Sequence, residues 1–324
     1  ARCAREQGMP GTVAKRRLEA MEVGIKQGMG EEGFRQKKLS RTDGWTPRIV
    51  MDEQREHLCI LVATAKRSGQ RVNPNYGADV QNWAVDLRGT LVEFMVDVGS
   101  SFKYDTETVA LAVSYFDRFL SHNKIDNKQL RPFAAVCLFV AGKYLENWNE
   151  AQSLEAFQSC FGCTSEAILE QEMVLLKYLE WAVGGVTAQS FIRCFCWMAP
   201  AESQERMLRY GELFVDLLMC ERSALRFSPL VRAAASFAAA AHIVGVNTER
   251  FLCYRELLSS AEALQVESCR ELLAKLYESA RSSYTGCEPV VVDDETKSPR
   301  SSYNNSPRNV TDVAYCDEPL NSSF

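Results

Sequence analysis

The sequence predicts an all-α fold made of two similar helical bundles in tandem, with a tail at each end. Apolar residues recur every three or four positions through most of residues 80–281, and no segment alternates as a strand would. The two halves of this region also come into register at a lag of 97 residues. A chain of 324 residues, 46% hydrophobic and 24% charged, has the composition of an ordinary globular protein.

The first half contains five predicted helices. The second of them follows the cap-like pair Asp105 and Thr106. The third has Pro132 in its first turn, where the missing backbone N–H costs little, and it is apolar on every side. We therefore expect the third helix to lie in the middle of a bundle. The five predicted helices are 80–98, 107–121, 133–145, 154–161 and 165–181.

The second half repeats this order. The 97-residue lag places Phe191 on Phe94 and Pro229 on Pro132, and each proline opens the most uniformly apolar helix of its half. Tandem duplication of one bundle explains both matches. The predicted helices of this half are 188–198, 204–220, 228–245, 253–261 and 265–281.

Charge divides the chain into segments of different character. Residues 1–50 carry 11 basic and 6 acidic side chains, and residues 283–324 carry 3 and 7, so the middle of the chain is net acidic. A protein that binds duplex nucleic acid needs its basic residues in the folded part, so we expect no nucleic-acid partner. We assign a poorly ordered basic segment to 1–50, a helix and linker to 51–81, two bundles to 82–184 and 185–281, and a disordered tail to 282–324.

Motifs for membranes, metals and enzymes are weak or absent from the sequence. The longest uncharged stretch, 233–248, is too short to span a bilayer, so we expect no membrane partner. The pair Cys160 and Cys163 has zinc-knuckle spacing, but most of the twelve cysteines lie in apolar runs and are interpreted as buried hydrophobic residues. The stretch 28–33 matches the dinucleotide fingerprint, although no strand precedes it. We predict no enzyme activity, metal or cofactor.

Three blocks in the first half resemble the cyclin box. They cover residues 87–99, 111–121 and 141–146, in order and at the spacing of that family. The resemblance extends over about residues 82–281, and the run 227–235 is similar to plant-like D-type cyclins. It implies two stacked five-helix bundles that bind and activate a cyclin-dependent kinase without catalysis of their own.

The same resemblance implies the kinase-binding residues. Lys143 and Glu172 match a lysine and a glutamate that hold backbone groups of the kinase αC helix and of the loop before it. We expect both side chains to be exposed at the rim of the contact in the free chain, and an intramolecular ion pair is the alternative. The apolar anchors implied by the family are Tyr144, Leu176 and Trp181.

A docking groove for Arg-x-Leu segments of substrates or inhibitors is implied on the first helix. The sequence departs from the family there, because Met-Arg-Ala-Ile-Leu has become Leu-Arg-Gly-Thr-Leu and an arginine replaces a glutamine. We expect these changes to weaken docking. The implied residues are the patch Leu87, Thr90, Leu91 and Phe94, the acidic Asp97 and the substituted Arg131.

Two further predictions concern structure and regulation. Arg88 and Asp117 match a pair that joins the first two helices of the box, and we interpret it as a structural ion pair. Ser298 and Ser306 each precede a proline in the acidic tail and are candidate phosphorylation sites in a segment that we expect to set protein lifetime.

The sequence therefore favours a regulatory subunit that activates a kinase in cell-cycle control, in the nucleus and cytoplasm. A cyclin-fold transcription factor of the general initiation type is one alternative, but it would need a zinc ribbon and a basic face. A helical scaffold that acts without a kinase is the other.

Overall fold

The computed structural model describes residues 47–67, 72, 87–147, 154–161, 164–247 and 257–285. Within these ranges the chain is helical with connecting turns and contains no strand, so the all-α prediction is confirmed. The fingerprint at 28–33, the candidate sites Ser298 and Ser306, and the side chains of Cys160 and Cys163 lie outside the described residues. The helices are α1 (Pro47–Arg67), α2 (Leu87–Ser101), α3 (Thr106–Leu120), α4 (Asn127–Leu145), α5 (Leu154–Phe161), α6 (Ser165–Tyr178), α7 (Ala188–Trp197), α8 (Ala201–Cys220), a 3-10 helix (Arg222–Arg226), α9 (Pro229–Val244) and α10 (Ser260–Thr285).

Helices α2 to α6 form the first bundle. The Asp105 carboxylate accepts the N–H of Glu107 and starts α3, as the cap-like sequence predicts. Thr164 starts α6 in the same way, by accepting the N–H of Ala167. Helix α4 is buried on nearly every side from Phe133 to Gly142, so it lies in the middle of the bundle.

Helices α7 to α10 form the second bundle. Ser228 accepts the N–H of Val231 and starts α9, and Gly245 ends it with φ of 80°, a conformation that favours glycine. Helix α1 precedes the first bundle in sequence, but its Leu58 and Val62 belong to the core of the second. The second core therefore uses parts of the chain on both sides of the first bundle, and Met219 of α8 belongs to the first core.

The prediction that Pro132 lies in the first turn of its helix is wrong. Helix α4 begins at Asn127, so Pro132 lies in the second turn, where it supplies no N–H for the carbonyl of Lys128. The segment before the proline is polar and suggests a loop. It is helical because Leu130, 1% exposed, is anchored in the first core.

The predicted ends of the last helices are also wrong. Residues 260–285 form one continuous helix, whereas we predicted a break near 262–264 and disorder from residue 282. The start is fixed by a reciprocal cap: the hydroxyl of Ser259 accepts the N–H of Glu262, and the Glu262 carboxylate accepts the N–H of Ser259. The sequence contains this Ser-x-x-Glu signal, which is typical of a helix start.

Polar contacts join the two bundles near the start of α7. One oxygen of Glu107 on α3 accepts hydrogen bonds from the hydroxyls of Thr187 at 2.7 Å and Ser190 at 2.6 Å. The guanidinium of Arg193 on α7 pairs with Asp105 at 2.6 Å. Burial raises the pKa of Glu107, although the two hydroxyl donors and Arg193 act in the opposite direction.

Cysteines in the described residues are free thiols. Four of them, Cys137, Cys194, Cys196 and Cys269, are buried as predicted, whereas Cys59 is exposed. Burial raises the pKa of Cys194 to about 11. No helix in the described ranges is long and apolar enough to cross a membrane, and no cluster of metal-ligating side chains is found among the same residues.

Candidate partner-binding site

Lys143 and Glu172 form an ion pair on the surface of the first bundle. The Lys143 ammonium in the last turn of α4 lies 2.6 Å from Oε1 of Glu172 on α6. The same ammonium lies 4.9 Å from the ring centre of Phe139. The side chain of Lys143 is 41% exposed and that of Glu172 only 9%. The expectation that both are exposed is therefore wrong for Glu172, because the packing of α6 against α4 covers it.

A tight turn after α6 fixes the position of Trp181, one of the predicted apolar anchors. Glu180 and Trp181 both have positive φ, 52° and 62°, which non-glycine residues rarely adopt. Two hydrogen bonds hold this turn: the N–H of Trp181 donates to the carbonyl of Leu176 at 3.0 Å, and the Tyr115 hydroxyl donates to the carbonyl of Val183. The indole of Trp181 is left 62% exposed.

The other two predicted anchors, Tyr144 and Leu176, differ in exposure. Tyr144 is half exposed at the end of α4, next to Gly184, where a Cβ would lie 3.0 Å from the tyrosine hydroxyl. Leu176 is partly buried against the first core. Leu176 therefore has both a packing role and a small exposed surface.

Other exposed apolar side chains on α4 and α6 were missed by the sequence analysis. On α6, Leu169 and Met173 are exposed four residues apart, so they are neighbours on the helix surface, and Val174 is exposed as well. A usable signal existed, since the run 173–176 is apolar on more sides of a helix than one core can cover. We refer below to the α4–α6 face, which consists of Lys143, Tyr144, Leu145, Leu169, Glu172, Met173 and Trp181.

The predicted docking groove is less apolar than the family pattern implies. Leu91 is 5% exposed and belongs to the first core, so it offers little surface to a docked segment. The Arg131 guanidinium lies 4.4 Å from the ring centre of Phe94 and covers that ring. Leu87 is partly buried, whereas Thr90, Asp97 and Arg131 are exposed. Docking of Arg-x-Leu segments stays a prediction.

Arg88 and Asp117, the pair assigned to a structural role, lie away from the α4–α6 face. They form a buried ion pair between α2 and α3, with Nη2 of the arginine 2.8 Å from Oδ2 of the aspartate. The contacts of this pair are internal, so we assign it to the fold and not to partner binding.

Comparison with protein families identifies the class. The family model "Cyclin, N-terminal domain" matches residues 60–184, and "Cyclin, C-terminal domain" matches residues 186–298. The chain therefore belongs to the cyclin family, as its three sequence blocks suggested.

Individual relatives come from several branches of that family. The chain is 27% identical to the G2/mitotic-specific cyclin-A of Drosophila melanogaster over 229 residues, which are 70% of this chain and 46% of the relative. It is 32% identical to Cyclin-A2-1 of Arabidopsis thaliana, over 52% of this chain and 40% of the relative. It is 26% identical to the G1/S-specific cyclin-D1 of Mus musculus, over 64% of this chain and 74% of the relative. The D-type subgroup that we favoured is therefore not singled out.

A solved structure supports the fold. A viral cyclin from herpesvirus saimiri superposes with a TM-score of 0.51, covering 70% of this chain and 97% of the viral one at 18% identity. The matches span less than half the length of the two A-type relatives.

Proposed function

We propose that this cyclin is the regulatory subunit of a cyclin-dependent serine/threonine kinase, which it binds through the α4–α6 face and activates. The observation that carries the proposal is the exposure of several large apolar side chains on and next to α4 and α6, the two helices that carry the Lys143–Glu172 pair. Soluble chains rarely leave clustered apolar side chains uncovered unless a partner covers them. The cyclin-box fold supports a kinase as that partner.

The Lys143–Glu172 pair fits a role at the centre of such a contact. In the free chain the pair is already formed, so Glu172 is held in one position before a partner arrives. A lysine has three donors and a carboxylate accepts several hydrogen bonds, so both groups can add backbone partners without separating. Binding would then exploit a preorganised site, which reduces the ordering cost of association.

Activation would be positional. Helices α4 and α6 would press the αC helix of the kinase inward, so that its glutamate meets the lysine of the third kinase strand. The cyclin itself would supply no reacting group. We therefore expect no catalytic activity from the isolated chain.

The experiment is calorimetric binding of the purified chain to cyclin-dependent kinases, followed by an assay on a Ser-Pro peptide. Lys143→Ala should weaken binding by about tenfold or more, because it removes a charged hydrogen-bond donor from the contact. Lys128→Ala is the matched control, an exposed lysine in the first turn of the same helix, and should bind normally. Failure of every such kinase to bind or to be stimulated would overturn the proposal and favour a scaffold or a transcription factor.

A further inference from the structure

A cavity of about 470 Å³ lies between the two bundles, and none of the residues of the α4–α6 face lines it. Its walls come from α1, α3, α7, α8, the 3-10 helix and the start of α9, with one residue of α10. Most of the lining is apolar, for example Val62, Val113, Phe191 and Met219. This volume is in the range of cavities that hold small organic ligands.

One cationic side chain at the cavity wall, that of Arg232, has a buried nitrogen without a hydrogen-bond partner. Among the described residues, Nε of Arg232 makes no hydrogen bond and has essentially no accessible surface, although the side chain as a whole is only partly buried. Burial lowers the pKa of this guanidinium, while nearby Asp117 acts in the opposite direction. The two oxygens of Asp117 already accept from Arg88, so its charge is largely balanced. Leaving a guanidinium nitrogen unsatisfied is costly unless something else occupies the site.

The surrounding charges favour an anion over a cation. Arg226 and Lys66 line the same cavity on exposed positions, against Glu262 and the already paired Asp117. Helix α9 also begins at the cavity wall, and a helix N-terminus carries partial positive charge. At the start of α9, the hydroxyl of Ser228 accepts the N–H of Val231 and retains its own hydrogen for donation.

We propose that this cavity binds a small amphiphilic oxyanion, a carboxylate or a phosphate ester with a short apolar body. The anionic oxygens pair with the guanidinium of Arg232 at the start of α9, and the apolar body lies against the side chains of α1, α3 and α7. The anionic head group thus pairs with Arg232, and the apolar body of the ligand packs against the apolar lining. The site is independent of kinase binding, so its test requires no kinase.

The test uses the 324-residue chain and four probes: hexyl phosphate, hexanoate, hexanol and inorganic phosphate. Binding is measured by calorimetry and by the rise of the melting temperature. We expect hexyl phosphate or hexanoate to bind about tenfold more tightly than hexanol, and also more tightly than inorganic phosphate. The tighter of the two anions identifies the head group.

Arg232→Met keeps an unbranched apolar stem and removes the charge and the N–H donors. We expect this variant to lose about tenfold or more in affinity for the anion while binding hexanol as the parent chain does. Arg209→Met is the matched control, since Arg209 lies on the surface of α8 and pairs with Glu205.

Four results would overturn the proposal. They are equal binding of hexanol and the anions, unchanged anion binding in Arg232→Met, no binding of either amphiphilic anion at millimolar concentration, and equal binding of inorganic phosphate and hexyl phosphate. The last would show that the apolar wall contributes nothing. The comparison of probes on the parent chain decides the question even if the variant does not fold.

Discussion

Arg88 and Asp117 form a two-point ion pair with almost no exposed surface. Nε of Arg88 donates to Oδ1 of Asp117 at 2.9 Å, and Nη2 donates to Oδ2 at 2.8 Å. The third nitrogen, Nη1, donates to the carbonyls of Met219 and Cys220 at the end of α8. A helix C-terminus favours a cation, so one guanidinium ties α2 and α3 of the first bundle to α8 of the second.

Asp117→Ala should lower the free energy of unfolding by about 3–5 kcal/mol, because it leaves Arg88 buried without its counter-charge. Urea denaturation monitored by circular dichroism measures the change. Asp126→Ala is the matched control: this aspartate precedes α4, is exposed and makes no capping hydrogen bond, so its loss should cost about 0.5 kcal/mol or less. Similar losses in the two variants would contradict the structural role of the pair.

Two glycines of α2 should respond in opposite directions to alanine. At Gly99 a Cβ would lie 2.5 Å from Cγ2 of Val109, a stiff β-branched side chain, so Gly99→Ala should destabilise the chain by about 1–3 kcal/mol. At Gly89 the nearest atom to a Cβ is 3.7 Å away, and Gly89→Ala should gain up to about 1 kcal/mol from helix propensity. Thermal melts of both variants check the sign, and destabilisation of equal size would show that the close approach at Gly99 is not the cause.

Removing the backbone strain at Glu180 should stabilise the chain. Glu180 is exposed with φ of 52°, so Glu180→Gly should raise the free energy of unfolding by up to about 1 kcal/mol. Lys177→Gly, three residues earlier and inside α6, should lower it by about 1 kcal/mol. Chemical denaturation of the two variants measures both effects, and a loss at Glu180 would mean that its side chain has a stabilising contact.

Glu107 should make stability depend on pH. Its pKa is higher in the folded than in the unfolded chain, so its contribution is present at low pH and is lost as pH rises through the folded pKa. A glutamine at this position does not ionise, so Glu107→Gln should not lose this stability. The difference in melting temperature between the variant and the parent should therefore shift in favour of the variant as pH rises. Scans at several pH values test this, with exposed Glu170→Gln as the control that should follow the parent. Parallel curves for Glu107→Gln and the parent would exclude the effect.

Much of the fold could be predicted from local sequence, because helical spacing and caps are local signals. Asp105 is an example, since it caps the helix that its position predicts. Pro132 shows where this reasoning fails: the burial of Leu130 extends α4 past the proline, and burial is decided by neighbouring helices.

The candidate site was predictable only in part. The positions of Lys143 and Glu172 came from the family resemblance, but the burial of Glu172 depends on how α6 packs on α4. The unsatisfied nitrogen of Arg232 could not be predicted at all, since a lone arginine near the start of an apolar helix gives no indication of a cavity beside it.

The placement of α1 on the second bundle has a consequence for synthesis of the chain. Leu58 and Val62 leave the ribosome before any of the first bundle, yet the α7 side chains that cover them are made only after that bundle is complete. Throughout that interval the apolar side chains of α1 are not covered by α7. Helix α1 is therefore made early but covered late, and we expect nascent chains that stop before α7 to be cleaved by proteases within α1 while their first bundle survives.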